Sequence, residues 1–151
     1  MYNNVNDIKE STIEQFRLAI AERLGKRYYF DEAPDNAAYP YRVGSLSNSY
    51  DDETAEIYTF YLDYWDSGKT TRRIRNMIAA DSGNGDRFNA TGLNGLKIHL
   101  PTGAAALYKN GENAVTDPDK GLRCIRVGYA MRLYDAIRGG MSNAESDTDT
   151  D

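Results

Sequence analysis

The chain has 151 residues, 40% of them hydrophobic and 27% charged, with a net charge of −5 at pH 7. That length fits one domain, and no run approaches the roughly 20 apolar residues of a membrane span. One cysteine, Cys124, excludes an internal disulfide and a multi-cysteine metal site, and it fits a reducing compartment.

The N-terminal stretch MYNNVNDIKES has no apolar signal region, so nothing in it predicts secretion. Residues 1–10 read as an arm ahead of a single domain over 11–138. Ser11 and Glu14 have the spacing of a capping box, in which each side chain satisfies the other's backbone amide. Ile13, Phe16, Ile20 and Leu24 then recur at helical intervals, and Gly25 stands where a C-terminal cap belongs. A helix over 12–24 follows, its apolar stripe packed on a core.

A short strand is predicted near Tyr28 to Phe30, and Pro34 and Pro40 exclude a central strand between them. YPYRVGSLS and IYTFYLDYW, parted by the polar NSYDDETA, predict antiparallel strands at about 41–48 and 55–65. In the second, Tyr58, Phe60, Leu62 and Tyr64 share one face, taken as the core. Ile57, Thr59, Tyr61, Asp63 and Trp65 share the other, half aromatic and half polar. Ile74, Met77 and Ile78 mark a second helix at about 69–81, flanked by Arg72, Arg73 and Arg75.

The glycine- and asparagine-rich 82–95 is read as a loop. Leu96, Ile98 and Leu100 alternate with Lys97 and His99, as in a strand. Turn signals at Asn110-Gly111 and Asp117 to Gly121 predict a protruding arm or long hairpin across 105–121. The clearest strand is the last, where Ile125, Val127, Tyr129, Met131 and Leu133 face one way and Cys124, Arg126, Gly128, Ala130 and Arg132 the other. The order predicts an α+β fold: an antiparallel or mixed sheet with two helices packed on one side, plus long loops or a hairpin arm.

Glu145, Asp147, Asp149 and Asp151 lie in SNAESDTDTD, which has no base and no large apolar residue. Such a segment cannot bury enough surface to offset its ordering entropy, so 139–151 is expected to be a disordered acidic tail. Without these four acids the body is near −1, which argues against nucleic-acid binding through net charge.

Chemistry finds no constellation. His99 has no evident partner, and Cys124 sits mid-strand with no sequence sign of an activated thiolate. DSGKTT fails as a phosphate loop because Asp63 stands where the first glycine is required. GNGDRFNATG follows a helix, not a strand, which removes the dinucleotide reading. DDETAE lacks calcium-loop spacing. No catalytic, cofactor or metal residue is assigned. The arginines at 72, 73 and 75 suit a solvated face or an ion pair between subunits. Ile57, Tyr61 and Trp65 suit either packing under a helix or a contact between subunits.

The N-terminal helix, YYFDEAP with its proline exit, YPYRVGSLS with the aromatic strand after it, KTTRRIRNMIAAD and LRCIRVGYAMRLYD together resemble the tail terminator (tail completion) proteins of long-tailed bacteriophages. The likeness covers roughly 12–135 and rests on element order, with no single motif. It implies a virion protein without enzymatic activity, made in the host cytoplasm, that closes into a homo-oligomeric ring, commonly a hexamer. Such a ring caps the tail tube protein, stops its polymerisation and offers its other side to the head-tail connector protein. Genomic DNA passes through the channel without sequence-specific binding, and no membrane is involved. The competing expectations are a head-side connector (stopper or adaptor), a minor capsid protein of the neck, an enzyme, and a toxin or nucleic-acid-binding module.

Overall fold

In the computed structural model the described residues are 5–51, 55–117 and 121–135. The first helix, α1 (Val5–Leu24), begins about two turns before the capping box. Ser11 is therefore inside the helix, and Glu14 accepts a hydrogen bond from Arg17 at 3.1 Å instead of capping. Nothing between Val5 and Ser11 breaks a helix, so chain propagation overrides the local cap signal. At the other end Gly25 has φ +72° and donates to the Ala21 carbonyl at 2.9 Å, as a C-terminal cap does. Phe16 and Ile20 are fully buried. Each such side chain contributes about 1.5–3 kcal/mol of burial.

Six strands form one sheet in the order β1-β2-β3-β6-β5-β4. β1 (Tyr28–Phe30) runs parallel to β2 (Tyr41–Asp51), and every other neighbour is antiparallel. β3 (Glu56–Ser67) and β6 (Leu122–Asp135) are the central pair, in unbroken register from Glu56↔Leu133 to Ser67↔Leu122. The alternation read in both is realised. Tyr58, Phe60, Leu62 and Tyr64 from β3, and Ile125, Val127, Tyr129, Met131 and Leu133 from β6, are buried in one cluster with Phe16 and Ile20. Phe16 meets Phe60 edge-on at 5.4 Å.

α2 (Arg72–Ser82) adds Ile74 and Ile78 to that same cluster, so both helices cover one face of the sheet. The α+β architecture is as expected. β5 (Gly103–Asp117) pairs with β6 as a long hairpin, the second of the two expected forms, and no arm protrudes among the described residues. Asn110-Gly111 makes no turn; it is a β-bulge, where the pairing with β6 slips by one residue. The Asp117 to Gly121 signal falls at the real reversal, although 118–120 lie outside the described residues. β4 (Lys97–Leu100) hairpins with the start of β5.

The 83–96 segment is held by its own side chains. Asn84 Oδ1 accepts from the amides of Asp86 and Thr91, and Asp86 Oδ1 accepts from the Phe88 amide. Gly83 and Gly92 pass so closely that a β carbon on either would strike the other's backbone. The expected acidic tail lies outside the described residues.

Candidate assembly surface

With both helices on one face, the opposite face of the sheet has no described layer over it. Strand register lays its side chains out in rows. One row is Tyr41, Trp65, Cys124 and Val115; the next is Val43, Asp63, Arg126 and Asn113. A third is Ser45, Tyr61, Gly128 and Gly111; a fourth is Ser47, Thr59, Ala130 and Tyr108. The face is therefore aromatic and apolar at one end, charged in a band, and small-residued beyond except for Tyr61 and Tyr108.

The charged band is one fixed ion pair. Arg126 Nε and Nη2 donate to the two carboxylate oxygens of Asp63 at 2.7 and 2.9 Å. The same guanidinium lies 4.5 Å from the Tyr61 ring centroid, so one cation serves both a carboxylate and a π face. The hydrogen bonds to Asp63 raise the Arg126 pKa further. Gly128 makes room beside it: a β carbon there would lie 2.8 Å from Asn110 Oδ1.

On this face exposed apolar surface lies at Val115 in the first row, at Tyr39 on its margin and at Tyr108 in the fourth row, while Leu18 on α1 and Phe88 in the 83–96 segment are exposed elsewhere. Val115 is 53% exposed. Tyr39 stacks on Tyr41 with centroids 5.4 Å apart, and Tyr29 meets Tyr41 edge-on at 6.0 Å. Trp65 is half-buried, sharing a groove with Asp63, Asn113, Val115, Cys124 and Arg126. Cys124 itself is buried there, and desolvation, with the Asp63 charge, pushes its thiol up to about 12. A thiol held protonated is no nucleophile.

The interface candidates divide. Tyr61 and Trp65 share this face at half exposure, while Ile57, on the same face, is buried at 7% exposure. The arginines do not join them, since α2 lies on the other side of the sheet. Arg73 clamps the buried Asp66 within its own chain, with Nε donating to Oδ2 at 3.0 Å. Arg75 donates to Thr71 Oγ1 at 3.0 Å, and Arg72 is exposed. Val115 and the Tyr29–Tyr39–Tyr41 cluster escaped the sequence reading, because Val115 and Tyr41 reach the Trp65 row only through cross-strand pairing, and Tyr29 and Tyr39 join it through Tyr41. The Asp63–Arg126 pair did leave a trace: both sit on the minor face of their alternation.

Among the described residues no three His, Cys, Asp or Glu side chains are grouped to hold a metal ion, and no helix is long and apolar enough to cross a membrane. His99 is exposed on edge strand β4.

No protein-family model matches the chain, and no curated protein matches it. Among solved structures it is similar to a chain from the "Virion of native gene transfer agent (GTA) particle". That match has a TM-score of 0.56 and 17% identity, covering 82% of this chain and 91% of the other. The likeness is one of fold.

Proposed function

We propose that this chain is a structural virion protein of the tail terminator kind. Its copies close into a ring, expected to be a hexamer, that caps the tail tube, stops its growth and joins it to the head connector. DNA passes through the opening without sequence-specific contacts. The observation that carries the reading is the fold shared with a virion chain over nearly that chain's whole length. The sheet face that no described layer covers, with half-buried Trp65, Tyr61 and Tyr41 and exposed Val115 on it, supplies apolar surface for a neighbouring subunit. A ring needs two different complementary surfaces on each subunit, and Tyr61 and Trp65 belong to one of them. Arg72 and Arg75 remain candidates at the helix side, whereas Arg73 is spent on Asp66.

The strand-rich architecture favours a terminator over a head-side adaptor, since adaptors tend to be mostly helical. The test is to add the purified chain to polymerising tail tube protein. The proposal expects tubes that stop lengthening and end in a density ring. Unchanged tube growth with bare ends overturns it.

A further inference from the structure

Among the described residues, both outer edges of the sheet are only half covered. β1 pairs with Arg42 to Gly44 of β2, and no described backbone pairs with the outer side of 45–51. β4 pairs with Gly103 to Ala106 of β5, Leu96 and Asn94 reach Leu107 and Lys109, and no described backbone pairs with the outer side of 110–117. These two stretches, SLSNSYD and NGENAVTD, contain no lysine, arginine or proline. Soluble proteins ordinarily guard an open edge with those residues.

The two open stretches fit each other. Strand directions alternate from β2 through β3 and β6 to β5, so β5 of one copy beside β2 of the next is an antiparallel pair. The amide and carbonyl groups that face outward can be identified. Leu107 exchanges hydrogen bonds with Gly95 and Leu96, and the bulge at Asn110 shifts the phase by one, so Glu112, Ala114 and Thr116 face out. On β2, the Arg42 amide and the Gly44 carbonyl bond to the β1 side, so Leu46 and Asn48 face out. Setting Ala114 opposite Asn48 sets Thr116 opposite Leu46, both as pairs that exchange hydrogen bonds.

The open halves lie at opposite ends of the sheet. Through Ile125 and Tyr64, Ala114 is level with Arg42, six residues from Asn48. Each joint is then staggered by ~20 Å along the strands, across four strands spaced about 4.8 Å apart. That gives a strand tilt of about 45°, close to what closing a sheet on itself requires.

We infer that neighbouring copies of this chain join by strand addition, residues 110–117 of one pairing antiparallel with 45–51 of the next. This rests on the ring reading and specifies its backbone joint, beside the side-chain contact proposed for Tyr61 and Trp65. The experiment is particle-mass measurement on the full-length wild type, Ala114→Pro, Asn48→Pro and an equimolar mixture of the two variants. Each proline removes one outward amide and leaves the internal ladder intact. The inference expects a wild-type ring, monomers from each variant alone, and particles of twice the monomer mass from the mixture. The mixture doubles because Asn48→Pro keeps its β5 edge and Ala114→Pro keeps its β2 edge, which also shows both variants folded. A ring that survives either substitution, or a mixture that stays monomeric, overturns the strand joint while leaving the ring reading in place. A monomeric wild type overturns both.

Discussion

Asp81 is the residue on which three elements meet. Its carboxylate accepts from Arg42 Nε at 2.6 Å and Nη2 at 3.1 Å, and from the Tyr64 hydroxyl at 2.8 Å. The side chains of Arg42 and Asp81 are 11% and 8% exposed, so both charges are largely withdrawn from water. Removing one partner of a buried pair leaves the other uncompensated, which typically costs about 3–5 kcal/mol. Asp81→Ala should lose that much in urea denaturation; a loss under about 1 kcal/mol would show the pair to be solvated, as exposed pairs are. This triad was not legible in the sequence, because Arg42 and Asp81 are 39 positions apart and each reads as an ordinary surface charge. The Arg73 ion pair was hidden for the same reason: its partner Asp66 lies on a different element, and only the fold brings a β3 end against the α2 start.

At the scale of elements, the central strands carry the buried ionisable groups. Burial pushes the Tyr129 hydroxyl up to about 12, and burial with the Asp81 charge raises Tyr64 well above its usual range. Cys124 rises from 9.0 to about 12. In each case the folded state holds its proton more tightly than the unfolded state does. Unfolding therefore releases protons at alkaline pH, and stability falls as pH rises. The folding free energy should be level up to about pH 9 and decline steadily toward pH 12, followed by circular dichroism in urea. A stability that stays flat through pH 12 would mean these strands admit water.

The same strands were the most readable part of the chain, since a period of two sustained over ten residues has one physical reading. β5 was not, because Asn110-Gly111 is a turn signal that also suits a bulge, and only the pairing with β6 decides between them. The start of α1 was missed because a capping box inside a longer helix looks the same in sequence as one at its end.

At the scale of the whole molecule, the proposed assembly turns on the sheet face that no described layer covers. Half of that surface was visible beforehand, as the aromatic alternate face of β3. The other half, Val115, Tyr41 and the Asp63–Arg126 pair, exists only once four strands are laid side by side. Trp65→Glu places a charge in the middle of the apolar row. It should abolish self-association and leave the melting temperature within a few degrees of wild type. Unfolding of that variant would assign Trp65 to the interior of the monomer instead.

Negative-stain electron microscopy of the purified chain, paired with a mass measurement of the same sample, addresses the central claim most directly. The account predicts annular particles of uniform size, six-fold about an open centre. A single monomeric species at high concentration, with no annulus and no attachment to tube ends, would contradict it.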